Sequence, residues 1–215
     1  MSSGSSRSAA KRLLRELAVW EKEAPAETGI ERLGPVGEDE LLRWEAVING
    51  QGIGSGYDAG RWLLSIEIPP TYPLAPPKMT FRTQIVHANV SLKDGEICLD
   101  LLKDAWTPAY SVLECVRAVR MLLSCPGIDS PLNVDVAALI RAGDTLAARR
   151  LTEYWCTQDR GRYNGLMGTY RPSKYDEYGS VWCGRSDCKK RSTPPGDHMG
   201  EDTPNCHRHN VPSSP

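Results

Sequence analysis

The 215-residue chain lacks most of the features that would betray a protein's setting at once. No window approaches the roughly 18 consecutive apolar residues of a membrane span, so any membrane association is expected to come through a partner or a modification. The opening segment, MSSGSSRSAAKRLLRELAVW, holds no apolar core of signal-peptide type. The formal net charge is −1, which removes the global field that would gather nucleic acid or anionic lipid. The cysteines are Cys98, Cys115, Cys125, Cys156, Cys183, Cys188 and Cys206. Their odd number and irregular spacing, without a secretion signal, argue against a disulfide framework and for a reduced, cytosolic setting. Histidine is scarce as well: His87 alone precedes the C-terminal tail.

What is present reads as one domain with extensions. Residues 1–8 are rich in Ser and Gly and are read as a flexible N-terminus. From Ala9 an amphipathic helix is expected, with Ala10, Leu13, Leu14 and Leu17 on one face at i, i+3, i+4 and i+7. Its basic face, with Arg12 and Arg15, reads as solvated or as a partner surface. Strand patterns follow over 30–36 (weak), 41–48, 61–68 and 78–83, with Trp44 and Trp62 as packing anchors and a Gly-rich turn over 50–60. Four short consecutive strands with tight connections predict an antiparallel meander. Helices resume where Ser111 caps a run carrying Val112, Val116, Val119 and Leu123. A short helix over 134–141 and a longer one capped by Asp144, with Leu146, Leu151, Tyr154 and Trp155 as apolar positions, complete an α+β domain over 9–164. The tail, 165–215, is rich in Pro, Ser, Gly and charge and reads as disordered. Its Cys183, Cys188, Cys206, His207 and His209 follow C-x4-C-x17-C-H-x-H, which matches no compact zinc pattern, so no metal site is expected.

Chemistry is expected where the period changes from strand to helix, over 87–108, HANVSLKDGEICLDLLKDAWTP. Cys98 lies between Ile97 and Leu99, just after an Asp94-Gly95 turn. A lone cysteine in apolar company is ordinarily a small buried hydrophobe. The polar loop before it, the amide of Asn89 nine positions earlier and the stiff Trp106–Pro108 boundary favour a working thiol. A free thiol titrates near pH ~8.5 and a hydrolase needs a base to ionise it. His87 is the one candidate, its direction is open, and no orienting Asn or Asp and oxyanion hole complete a Cys/His protease. A thiol that carries an acyl group needs less: it takes the group from another thioester by exchange. An amide such as Asn89 can stabilise the tetrahedral oxyanion, an effect of about 2.7–4 kcal/mol.

These residues resemble the active-site region of the ubiquitin-conjugating enzymes, whose pattern is His-Pro-Asn, a short loop, Gly-x-Ile-Cys-Leu and Trp-Ser/Thr-Pro-Ala. Here it reads His87-Ala88-Asn89, Gly95-Glu96-Ile97-Cys98-Leu99 and Trp106-Thr107-Pro108-Ala109. Tyr72-Pro73-Leu74-Ala75-Pro76-Pro77-Lys78 resembles the family's Tyr-Pro-Phe-x-Pro-Pro-x segment, and Asp129-Ser130-Pro131-Leu132-Asn133 its post-helix loop. The resemblance implies the ubiquitin-conjugating fold: an N-terminal helix, a four-stranded antiparallel meander, an active-site loop and C-terminal helices. It implies that Cys98 accepts ubiquitin as a thioester, that Asn89 supports the oxyanion or the loop, and that His87 is a brace and not a base. Asp129 and Ser130 then flank the site, and Leu74, Pro108 and Ala109, with Arg12 and Arg15, face RING-type ligases and the ubiquitin-activating enzyme. No cofactor is implied, because ATP is used by the activating enzyme.

Three departures carry expectations. Ala88, where the family has Pro, is expected to loosen the turn; Leu74, where Phe is common, to narrow the choice of ligase. Ser130, where lysine-directed members carry an acid, makes discharge to lysine less certain. The segment DSPLNVDVAALIRAGD, the long loop from Asn89 to Cys98 and WTPAYSVLECV resemble the peroxisomal branch of the family. Members of that branch face the cytosol, are held at the peroxisomal membrane by a membrane-anchored peroxin, and modify the matrix-protein import receptor for recycling. The alternatives are a non-peroxisomal conjugating enzyme, an inactive ubiquitin-binding variant of the fold and, less well supported, a cysteine hydrolase.

Overall fold

The computed structural model describes residues 3–37 and 39–165. The first helix, α1, spans Ser3–Glu23, so most of the segment read as a flexible N-terminus is helical. Ser and Gly are weak helix formers, but extending a helix anchored by tertiary packing adds a hydrogen bond for each residue fixed. The inner stripe is also rotated from the one expected. Ala9, Leu13, Glu16 and Trp20 are buried, whereas Leu14 is 57 % exposed and Leu17 only packs at the margin. The expected face counted apolar residues alone and could not know that a carboxylate claims an inner position.

Four strands follow as β1 Ile30–Pro35, β2 Arg43–Asn49, β3 Arg61–Glu67 and β4 Lys78–Phe81. They form an antiparallel meander in the order β1-β2-β3-β4, as predicted. Register sets Trp44 opposite Ile66, Ala46 opposite Leu64 and Ile48 opposite Trp62. All six are buried, so the period-2 rows of β2 and β3 make one apolar face. The helix α2, Val112–Leu122, brings Val112, Cys115, Val116 and Val119 into the same core. Ser111 starts it with a reciprocal capping box to Glu114.

Asn133 caps α3, Val134–Arg141, and Asp144 caps α4, Thr145–Thr157. The apolar positions expected of α4 are not its buried ones. Leu146 and Tyr154 are 58 % and 60 % exposed and Leu151 is exposed too; Thr152 and Cys156 are buried in their place. Thr152 can go inside because its hydroxyl donates to the Ala148 carbonyl one turn back, 3.0 Å away. Trp155 packs beside a small second cluster of Val86, Ala88, Val136 and Ala137. The tail read as disordered, 165–215, lies outside the described residues except for Gly165, and with it the cysteines and histidines weighed as zinc ligands.

The buried carboxylate of Glu16 joins three elements. Its Oε1 accepts from the Tyr72 hydroxyl (2.6 Å) and pairs with Arg12 Nε (2.5 Å), and its Oε2 accepts from the Val112 N–H at the head of α2 (2.8 Å). Replacing Glu16 with Ala leaves a buried hydroxyl and a buried N–H without partners. Such losses cost about 1–3 kcal/mol each, so Glu16→Ala should lower unfolding free energy by about 3 kcal/mol in a denaturant titration. Breaking the exposed Arg149–Glu153 pair on α4 should change it by under about 0.5 kcal/mol.

Candidate active site

The segment between β4 and α2 forms a short irregular hairpin that carries the thiol. Ser91 N–H donates to Glu96 O and Cys98 N–H to Asn89 O, each 2.9 Å, around a Val90–Ile97 bridge. Gly95 turns this hairpin at φ +73°, and Phe81 N–H donates to its carbonyl. A Cβ on Gly95 would meet the Phe81 carbonyl oxygen at 1.9 Å, so no other residue fits this approach to β4. Cys98 is half-buried, a free thiol with Ile97 behind it in the core.

His87 is enclosed and committed at both ring nitrogens. The Asn89 N–H donates to Nδ1 (3.0 Å), which therefore carries no proton; Nε2 holds the proton and donates to the Leu122 carbonyl (3.0 Å). Burial pushes its pKa down to about 4, against a smaller upward pull from the Leu122 carbonyl. The imidazole is neutral at physiological pH and has no lone pair to spare. Its two bonds tie the turn at Asn89 to the end of α2.

Asn89 is fastened just as fully. Its Nδ2 donates to Gly127 O (2.7 Å) and its Oδ1 accepts from Gly127 N–H (2.8 Å), a reciprocal amide pair across the loop after α2. One Nδ2 hydrogen remains beyond this pair. Ala88 does not loosen the turn: Val90 N–H closes it onto His87 O, and the Ala88 carbonyl accepts from both Leu132 and Asn133 N–H. Asp129 and Ser130 stand exposed between these anchors, on a loop held at Gly127, at Ile128 by Arg141 and at Leu132.

The residues expected to face partners lie on loops and a helix joined by hydrogen bonds. Leu74 is 78 % exposed, and Pro108 and Ala109 are exposed beside it in sequence-distant loops that Trp106 Nε1 joins by donating to Pro73 O (2.9 Å). Arg12 reaches Tyr110 O (3.1 Å), tying α1 to the same loops, while Arg15 is exposed. Sequence reasoning missed Gly127, Leu122 and Glu16. The first two act through backbone groups, which leave no mark in side-chain chemistry; Glu16 looked like one more surface charge.

A half-buried thiol on a braced loop, near an imidazole with both nitrogens bonded, suits the carrying of an acyl group. The sequence profile of the family "Ubiquitin-conjugating enzyme" matches residues 12–155, and the chain belongs to that family. It is accordingly a transferase that works through a thioester intermediate. Within the family it is most like the peroxisomal branch, peroxin-4. It is 71 % identical over 160 residues to the ubiquitin-conjugating enzyme E2 PEX4 of Gibberella zeae, covering 74 % of this chain and 93 % of that protein. It is 39 % identical over 133 residues to the PEROXIN-4 protein of Arabidopsis thaliana, covering 62 % and 83 % respectively. A solved structure of H. polymorpha Pex4p in complex with the soluble domain of Pex22p shares the fold, with TM-score 0.64 and 36 % identity over 68 % of this chain and 94 % of that one.

Because the folded chain holds His87 near pKa about 4 while an unfolded histidine takes up its proton near 6.5, the unfolded state binds more protons between these values. Folding stability should therefore fall as pH drops from about 6.5 towards 4, by up to about 3 kcal/mol from this residue. The same unfolding titration on His87→Asn at pH 6.5 and 5 should show a smaller drop than the wild type.

Proposed function

We propose that this ubiquitin-conjugating enzyme takes ubiquitin from the activating enzyme onto Cys98 and, with RING-type ligases, transfers it to the peroxisomal matrix-protein import receptor for recycling. The observation that carries the acyl-carrier reading is the double commitment of His87: with both nitrogens bonded, it is not available as the base that a hydrolase needs. Asn89 then serves in two ways, holding the Gly127 loop and offering its remaining N–H to the oxyanion. The chain itself needs no cofactor in this scheme, since ATP is spent upstream. Ser130 in place of an acid accords with a thiol acceptor, which does not arrive as an ammonium to be deprotonated.

The enzyme has no helix among the described residues that is long and apolar enough to cross a membrane. We infer that a membrane-anchored peroxin holds it at the cytosolic face of the peroxisome, as a partner comparable to the Pex22p domain found with the H. polymorpha protein. The exposed apolar side chains of Val134 on α3 and of Leu146 and Tyr154 on α4 support this reading. They lie on elements that carry none of the residues assigned to ubiquitin, activating enzyme or ligase.

With activating enzyme, ubiquitin and ATP, the wild type should form an adduct that thiol reductant removes, and Cys98→Ser a slower adduct that resists it. Asn89→Ala should charge but discharge about 100-fold more slowly; unchanged discharge would exclude the oxyanion role. Leu146→Glu combined with Tyr154→Glu should release the enzyme from peroxisomal membranes in cell fractionation while charging stays at the wild-type rate. Retention on the membrane would remove α4 from the anchoring surface.

A further inference from the structure

One side chain outside the site holds the loop that Asn89 grips. Both atoms of the Asn89 carboxamide are bonded to the backbone of Gly127, Nδ2 to its carbonyl and Oδ1 to its N–H. The aim of the remaining Nδ2 hydrogen therefore depends on where that backbone stands. Gly127 is exposed and has no side chain to pack; even a Cβ there would meet nothing closer than Asn89 Nδ2, at 3.5 Å. Glycine backbone is the freest of any residue, whereas Pro126 before it has its φ fixed by the ring. On the other side stands Ile128, whose carbonyl accepts a hydrogen bond from Arg141 Nη2. A charged donor makes this a stronger bond than a neutral one.

Arg141 is the last residue of α3, and an arginine there ordinarily serves its own helix end. Here the backbone already does so. Gly143 N–H donates to Ile140 O and Asp144 N–H to Leu139 O, each 3.0 Å, with Gly143 at φ +73° as the left-handed residue of the cap. Arg141 takes part in none of the ion pairs among the described residues. Its guanidinium instead reaches back thirteen residues to Ile128. The head of α3 is pinned too, since Leu132 N–H (2.8 Å) and Asn133 N–H (3.0 Å) both donate to Ala88 O. Residues 128–141 thus form a closed ring, fastened in its course to the residue next to Asn89.

We propose that Arg141 is a positioning residue for ubiquitin transfer: by holding the Ile128 carbonyl it fixes the Gly127 peptide, and through that peptide it aims the Asn89 carboxamide at the oxyanion. This rests on the oxyanion role proposed for Asn89. Arg141 bonds to none of the residues assigned to the reacting groups, so what it supplies is geometry. A misplacement of about 1 Å costs about 100-fold in rate. Asn89 keeps both of its bonds to Gly127 when Arg141 is removed, so the loss should be smaller, on the order of 10-fold. Arg141 is exposed, and a surface substitution of this kind leaves the domain folded. The same bond also holds the residue just before Asp129 and Ser130, the two exposed side chains that flank the site.

The test uses the full chain, loaded with activating enzyme, ubiquitin and ATP. Loading is then stopped by removal of ATP, so that only discharge is read, as decay of the thioester to free cysteine on non-reducing gels. The variants are Arg141→Met, which keeps the stem and loses the donors, and Arg141→Lys, which keeps a donor, each alone and combined with Asn89→Ala. Arg141→Met should discharge about 10-fold more slowly than the wild type, and Arg141→Lys should recover most of that loss. Added to Asn89→Ala, Arg141→Met should slow discharge no further, because the group through which it acts is gone. Three outcomes would overturn the role of Arg141 and leave that of Asn89 standing: wild-type discharge in Arg141→Met, equal loss in Arg141→Lys, or a full further loss on top of Asn89→Ala. Wild-type discharge in Asn89→Ala alone would instead remove the oxyanion role, and the role of Arg141 with it.

Discussion

The arrangement of the site depends on an imidazole whose two nitrogens are both bonded. His87 is taken out of water and held neutral, with Asn89 N–H on one nitrogen and Leu122 O on the other. Those bonds link the turn before the thiol to the end of α2. Asn89, fixed by its own backbone bond to His87, then clasps Gly127 by both ends of its carboxamide and accepts from Cys98 N–H through its carbonyl. Buried polar groups are stable only when their bonding is complete, and here each residue completes its neighbour. The thiol is positioned by a chain of satisfied amides, and reactivity comes from the acyl group that it carries.

A second polar junction plays the corresponding part among α1, the proline-rich loop and α2. Glu16, inside α1, gathers Tyr72 from the proline-rich loop, Val112 N–H from the head of α2 and Arg12 from its own helix. Arg12 continues to Tyr110 O, and Trp106 to Pro73 O. The loops bearing Leu74, Pro108 and Ala109 are thereby registered against the helix bearing Arg12 and Arg15. A carboxylate removed from water must be repaid by hydrogen bonds and opposite charge, and satisfying it forces these three elements into one arrangement.

Much was legible in the residues. The meander followed from alternating apolar runs separated by Gly and Pro, and the caps at Ser111 and Asp144 from their side chains standing just before apolar periods. Helix faces were less legible. On α1 the inner stripe includes Glu16 and leaves Leu14 outside; on α4 it takes Thr152 and Cys156 and leaves Leu146 and Tyr154 exposed. Hydrophobicity tells which side chains prefer burial, but which of them find a partner depends on elements far away in the chain. Leu146 and Tyr154 have the apolar character that periodicity reads as core, yet they stand exposed.

The sequence by itself determined the chemistry: one cysteine beside a Gly turn, one asparagine nine residues before it and one histidine too poorly accompanied to make a hydrolase. Side-chain identity and short spacing carry that information, because nucleophile, amide and turn act over a few residues. Only the tertiary structure decided the roles. It committed both nitrogens of His87 to hydrogen bonds and set Gly127 and Leu122 as the backbone partners of Asn89 and His87. Those outcomes depend on backbone groups and on contacts across long stretches of chain, which come into being only when the sheet, α2 and the loop close on one another.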